Sequence, residues 1–272
     1  MRGPALLFCP ADRPDRYAKA AAAADTVILD LEDAVGATDK PRAREALREV
    51  PLDPDRTIVR VNPAATPDLE LDLRALAETP YRTVMLAKTE NPGDVDALAG
   101  YEVVALCETA LGVENAFRIA RHASVEAMFW GAEDLVASLS GRTSRHAGGT
   151  YRDIARMARA RVLLAAGAAG KPAIDSVHLD IGDVAGLRAE ALDAAGSGFW
   201  STACIHPSQV ATIREAYAAS DEELAWAKRV LAEAATQSGV FRFEGRMVDE
   251  PVLRQARHIV AGQGATSRFP GV

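Results

Sequence analysis

The sequence predicts an α/β fold: a closed (β/α)8 barrel over residues 1–219, followed by a C-terminal helical extension, a possible lid, over residues 220–272. Three observations point to it. Eight β-rich runs recur along the chain with helix-forming segments between them. Several runs are nearly continuous in Val, Ile, Leu and Phe rather than alternating, the pattern of parallel strands covered on both faces. And 272 residues with 49% hydrophobic content suffice for one large core, a size at which α/β barrels fold as a single domain. A doubly wound open sheet is the structural rival. The absence of G-x-G-x-x-G after the first run weakens its dinucleotide-binding version.

The expected strands are Ala5–Pro10, Thr26–Asp33, Thr57–Pro63, Thr83–Lys88, Glu102–Thr109 and Ala127–Asp134, with weaker ones at Ala173–Leu179 and Gly198–His206. Pro14–Ala24 reads as a helix because Pro suits a first helical turn and Ala continues it. Lys40–Val50, Asp68–Thr79 and Pro92–Ala99 follow turn residues and are rich in helix formers. Tyr151–Gly170 and Asp183–Ala195 have helical character and end at or before a glycine. Pro207 is placed to open a further helix after His206. The extension should hold a helix near Asp221–Thr236, the stretch FRFEGRMVD and a helix from Pro251, with Gly264–Val272 frayed.

Composition narrows the function classes. A net charge of −7 and no extended basic patch argue against a nucleic-acid partner. No apolar run approaches the roughly 20 residues that cross a bilayer, and Ala5–Cys9 is too short for a signal-peptide core. Cys9, Cys107 and Cys204 are odd in number, lack C-x-x-C spacing and sit in apolar runs. They read as small buried hydrophobes in a reducing cytoplasm rather than as disulfides or a zinc site.

A barrel of this kind keeps its chemistry where strands end. The polar residues at those ends are Asp30, Glu32 and Asp33; Arg60 and Asn62; Lys88; Glu108; Glu133 and Asp134; and His206. Glu108 and Asp134 each follow a strongly apolar run, and with no His or Cys nearby the pair suits a hard cation such as Mg²⁺, which accepts one or two carboxylates and keeps open positions. Ordinary solvated or salt-bridged acids are the competing reading. Arg60 lies within a β-rich run and needs an anion, either a substrate oxygen or Asp30 or Glu32 on the neighbouring strand. Asp30 and Glu32 share one side of their strand by period-two geometry. His206 stands at a strand-to-helix turn, free to donate to a ligand carbonyl or to serve the fold alone. Arg13, Arg16 and Lys19 surround a helix start, where a solvated basic face competes with phosphate binding; Phe8 is core by default.

Eight blocks, in order, carry a family resemblance: FCPADRPDRYAKA, VILDLEDAV with Lys40 and Arg44 following, VRVNP, VMLAKTE, LCETALG, WGAEDL, CIHPSQ and RMVDEPV. They run from residue 8 to about residue 252. The chain resembles the HpcH/HpaI aldolase and citrate lyase superfamily, and within it the stand-alone citrate lyase beta-like proteins. The resemblance implies a TIM barrel assembled as a homotrimer or hexamer. It also implies a Mg²⁺-dependent carbon–carbon lyase that cleaves a 3-hydroxyacyl thioester, such as malyl-, citramalyl- or citryl-CoA, into a 2-oxo acid such as oxaloacetate and an acyl thioester. It puts the metal ligands on Glu108 and Asp134 and the substrate-binding arginine on Arg60. It puts coenzyme A contacts on Phe8, Arg13 and Lys19, further substrate contacts on Glu133, Ile205 and His206, and a lid aspartate, offered to a neighbouring subunit, on Asp249. Ala87 stands where the family commonly has Pro. The short chain does not require partner alpha or acyl-carrier subunits. Rival readings are a malate-synthase-like condensation with thioester hydrolysis, a metal-dependent aldolase on free 2-oxo acids, and a non-catalytic binding subunit.

Overall fold

A computed structural model describes residues 1–237 and 239–261; Gly264–Val272 lies outside the described residues. Strands β1 (Ala5–Pro10), β2 (Thr26–Asp30), β3 (Thr57–Val61), β4 (Thr83–Leu86), β5 (Glu102–Cys107), β6 (Val125–Trp130), β7 (Ala173–Asp175) and β8 (Ser201–Cys204) pair in parallel and in chain order. β8 returns to β1, so the sheet closes. Outside lie α1 (Tyr17–Ala23), α2 (Lys40–Glu49), α3 (Asp68–Leu76), α4 (Pro92–Asp96), α5 (Ala110–Ala120), α6 (Ala132–Ser138), α7 (Asp153–Ala168), α8 (Val184–Ser197) and α9 (Gln209–Tyr217).

The continuous apolar runs have a two-sided explanation. Leu6, Ile28, Ile58, Met85, Val104, Leu106, Ala127, Phe129, Ile174 and Ala203 fill the barrel interior. Their neighbours Leu7, Leu29, Val59, Val84, Leu86, Val103 and Trp130 face the helices. Truncating an interior side chain such as Ile58 to Ala should cost about 2–5 kcal/mol through lost transfer energy and a cavity. The same period of two carries polar residues to the mouth: Asp30 follows Ile28, Arg60 follows Ile58 and Glu108 follows Leu106, each two residues on and on the interior side.

Several expected strands run longer than the observed ones. β3 stops at Val61, two residues before Pro63, which has no N–H for a ladder. β6 stops at Trp130. Gly131 then caps α6, so Glu133 and Asp134 occupy a helix first turn rather than a strand end. Carboxylates there are favoured by the unpaired N–H groups and dipole of the helix start. Helices α5 and α6 had no counterpart in the sequence reading.

Beyond the barrel, α10 (Asp221–Ala234) opens with a capping box in which Ser220 and Glu223 exchange side-chain-to-backbone bonds. A two-stranded antiparallel ribbon, β9 (Phe241–Phe243) and β10 (Arg246–Val248), leads into α11 (Glu250–Ala261). Ala227, Val230, Val248 and Ala256 form a small cluster of their own. No described helix is long and apolar enough to cross a membrane. Cys9, Cys107 and Cys204 are free and buried, and burial pushes the Cys9 thiol up to about 11.

Candidate active site

Strand register builds the floor of the mouth. Asp30 and Arg60 are register partners on β2 and β3. Arg60 Nε donates to Asp30 Oδ1 at 2.7 Å and Nη2 to Asp30 Oδ2 at 2.6 Å, a bidentate pair, while Nη1 lies 3.2 Å from Glu32 Oε2. The salt-bridge reading of Arg60 therefore holds. It does not use up the residue: Asp30 takes two of five N–H groups, leaving donor capacity on both Nη atoms. The Phe8 ring centroid lies 4.9 Å from the guanidinium carbon, so Phe8 is both partly buried core and a wall beside Arg60. Burial alone would lower the Arg60 pKa, but Asp30 and then Glu32 hold it above its ordinary value, so the charge is permanent.

Behind this pair stands a second tier. Asn62 donates to the Leu31 carbonyl at 3.1 Å and, from Nδ2 and its backbone N–H, to Asp72 at 2.7 and 2.9 Å. Arg44 donates to Asp72 at 2.7 Å and to Asp68 at 2.6 Å, and Lys40 donates to Asn62. Asp72 is fully buried, and nothing in its local sequence singles it out, because its partners lie on other elements.

Across the mouth, Glu108 is 3% exposed and its pKa is pushed up to about 8, first by burial and then by the Asp134 carboxylate. Its Oε1 accepts the Lys88 backbone N–H at 3.1 Å. Gly131 makes room for it: a Cβ there would stand 2.7 Å from Glu108 Oε2 and 2.9 Å from Glu108 Cβ. Lys88 bonds Glu32 through its ammonium and lies 3.2 Å from Asp33 Oδ2 and 3.4 Å from Asp134 Oδ1. Among the described residues four carboxylates (Asp30, Glu32, Asp33 and Asp134) thus pair with two cations, a formal excess of two negative charges, and Glu108 stands beside them on the Lys88 main-chain N–H. Burial raises the Glu32 pKa more than Arg60 and Lys88 lower it; for Asp33 burial loses to Lys88 and the pKa falls.

The donor set fits a hard divalent cation. Glu108 and Asp134 both lie against Lys88, at its main-chain N–H and its ammonium, without sulfur or imidazole between them, and the cradle for Glu108 exists only because residue 131 has no side chain. Two carboxylates would leave the rest of a Mg²⁺ ion's octahedron to water and substrate oxygens.

The remaining expected residues spread around this centre. Glu133 accepts a 2.6 Å bond from Ser144, a buried serine in the segment between α6 and α7. Arg145 of that segment stacks on the Tyr151 ring at 3.8 Å and pairs with Glu190, which also bonds His178 at 2.9 Å. Gln209 accepts the backbone N–H groups of Ile205 at 3.0 Å and His206 at 3.2 Å, shaping their turn. His206 Nδ1 pairs with Ser208 Oγ at 2.7 Å. Arg13 is tied at its exposed edge to Asp15, and Lys19 is exposed on α1. Asp249 is not brought to the carboxylates by any described contact within this chain; its Oδ1 accepts the Val252 N–H at 3.4 Å and its carbonyl that of Leu253, starting α11. Sequence reasoning passed over Gly131, Ser144 and Gln209. The only signal in the chain was their nearness to the acids and to His206.

Residues 5–207 match the family model described as HpcH/HpaI aldolase/citrate lyase. A citrate lyase subunit beta-like protein of Mycobacterium tuberculosis is 57% identical over 266 residues, 97% of each chain. The human mitochondrial citramalyl-CoA lyase is 29% identical over 94% of this chain and 84% of its own. A crystal structure of CitE from Mycobacterium tuberculosis with magnesium, acetoacetate and coenzyme A superposes with a TM-score of 0.95 at 56% identity, covering 97% of this chain and 99% of that one. The barrel, the ordered blocks and these likenesses agree: the chain belongs to the HpcH/HpaI aldolase/citrate lyase family.

Proposed function

We propose that this protein is a carbon–carbon lyase that cleaves a 3-hydroxyacyl-CoA of the malyl, citramalyl or citryl type into a 2-oxo acid and an acyl-CoA, using Mg²⁺ held by Glu108 and Asp134. One observation carries the reading: two carboxylates converge beside a fixed, permanently charged arginine in a mouth with excess negative charge. The relatives' names and the coenzyme A and magnesium of the superposing structure support the substrate class.

In the reaction the hydroxyl proton leaves to a base and the hydroxyl oxygen becomes the carbonyl of the 2-oxo acid. The carbon–carbon bond pair moves to the α-carbon of the thioester, and protonation of the resulting enolate gives the acyl-CoA. Mg²⁺, when held by Glu108 and Asp134, would supply Lewis acidity to the substrate's oxygens. The free N–H groups of Arg60 stabilise the enolate oxygen, and its clamp on Asp30 holds the donor plane before substrate arrives. Phe8, Arg13 and Lys19 contribute to the coenzyme A site, while Glu133, Ile205 and His206 line the acyl end. The extension, residues 220–272, acts as a lid whose Asp249 serves a neighbouring subunit of a homotrimer or hexamer as acid or base.

A screen of malyl-, citramalyl- and citryl-CoA with Mg²⁺, detecting released 2-oxo acid, tests the proposal. Release from at least one thioester, abolished by chelator, is expected. Cleavage of none of them, or equal activity on the free acids, removes the thioester lyase reading.

A further inference from the structure

Lys88 is one of the mouth residues for which the family resemblance supplies no role, and it touches more of the others than any of them. Its backbone sits at φ 49°, in the left-handed region that non-glycine residues seldom adopt. Strain of this kind persists only where neighbours over-determine it. Here they act on both ends of the residue. The main-chain N–H donates to Glu108, and the ammonium reaches Glu32, Asp33 and Asp134, which come from the β2–α2 connection and from α6. One residue thus touches both carboxylates of the proposed metal pair, with different atoms and opposite consequences. The amide orients Glu108 as a neutral donor. The ammonium holds a positive charge beside Asp134, where a divalent ion is to bind.

We infer that Lys88 is a built-in counter-cation of the metal site: its ammonium shields Asp134 until a divalent ion enters, then withdraws onto Glu32 and Asp33, while its amide keeps Glu108 in place throughout. The inference rests on the assignment of Glu108 and Asp134 as metal ligands. The four-carbon stem allows the withdrawal, and two acids remain to receive the charge. The excess negative charge of the mouth explains why such a device is needed. Without it, Glu32, Asp33 and Asp134 lose the one cation they share. With it, every metal ion must displace or approach a like charge, which keeps binding exchangeable.

The device separates from simple structural support by the sign of its effect on affinity. Loss of a supporting residue weakens metal binding; loss of a competing cation tightens it. Even in the fully water-screened limit, removing a unit charge about 5 Å from a divalent ion favours binding by roughly tenfold. Mg²⁺ titration calorimetry on the full chain, with Lys88→Met, Lys88→Gln and Lys88→Arg, reads this directly. The neutral variants should bind Mg²⁺ about tenfold more tightly than wild type, melt at lower temperature without metal and gain more thermal stability from added Mg²⁺. Lys88→Arg should stay close to wild type. Either neutral variant suffices if the other does not fold. If neither folds, the counter-cation role is retained only if selective ¹⁵N labelling of lysine shows the Lys88 ammonium resonance moving on Mg²⁺ addition to wild type, and an unmoved resonance overturns it. Unchanged or weaker Mg²⁺ binding in a folded neutral variant also overturns it. Glu108→Ala and Asp134→Ala run alongside: if they still bind Mg²⁺, the ligand assignment itself has failed; if they lose it while the neutral variants do not tighten, only the counter-cation role has.

Discussion

Replacing Gly131 by Ala perturbs the proposed metal site without replacing an ionisable side chain. The backbone of Gly131, φ −123° and ψ 132°, is open to any residue, so Ala brings no torsional strain. By shrinking the unfolded ensemble the change would on its own stabilise by about 0.4–1 kcal/mol. Against this, the new methyl would lie 2.7 Å from Glu108 Oε2 and 2.9 Å from Glu108 Cβ, inside the roughly 3.5–4.0 Å at which carbon atoms pack well. Glu108 Cβ cannot simply retreat, because β5 is held in register against β6 up to Cys107 and Trp130. The carboxylate must swing away and give up the Lys88 N–H. Overpacking of this kind costs about 1–3 kcal/mol. The net loss is about 1–2 kcal/mol, or a few degrees in melting temperature at about 2–4 °C per kcal/mol. The larger effect should appear in calorimetry, with Mg²⁺ affinity down at least tenfold. A folded Gly131→Ala variant with wild-type Mg²⁺ affinity would falsify the view that Glu108, in its present rotamer, is a ligand.

Three further outcomes are expected. Arg60→Lys keeps the charge but loses the fork on Asp30, so kcat on the cleaved thioester should fall by about 10²–10³, equivalent to about 2.7–4 kcal/mol of transition-state stabilisation, with the protein still folded; near-normal turnover removes Arg60 from the chemistry. The His178–Glu190 pair sets a pH window: the bond to Glu190 raises His178 above 6.5, so its contribution is complete below that pH and is lost as pH rises through the raised value. Burial opposes but does not prevent the lowering of Glu190 below 4.5 by His178 and Arg145, so that contribution is present above pH 4.5 and lost as pH falls through the lowered value. Urea midpoints of wild type should therefore drop between pH 6 and pH 8 by more than those of His178→Gln; equal drops contradict the assignment. Asp249→Asn should abolish 2-oxo acid release if the lid aspartate acts in cleavage, whereas loss of thioester hydrolysis with cleavage retained assigns it to water activation.

Much of this architecture was legible in the chain, for identifiable reasons. Strands such as VILD and VVALC announce themselves because both faces are buried, and the polar residue that ends each run marks the barrel mouth. The Asp30–Arg60 pair could be named as one alternative, since period-two geometry places both inward, but its choice over a free Arg60 depends on register between two strands thirty residues apart. Asp134 was misplaced by the apolar run AMFWGAEDL, which reads as one strand; Gly131, by capping α6 and admitting Glu108, divides it. Asp72, Ser144 and Gln209 were not singled out because their importance lies in partners remote in sequence. Lys88 was visible as a strand-end cation, but neither its left-handed backbone nor its grip on both acids has a sequence signal.

If Glu108 and Asp134 together hold one divalent ion, Mg²⁺ titration calorimetry of the wild-type chain beside Glu108→Ala and Asp134→Ala will reveal it. One saturable site per chain is expected, lost in each variant while circular dichroism shows the barrel intact. Saturable binding that survives both substitutions would contradict it.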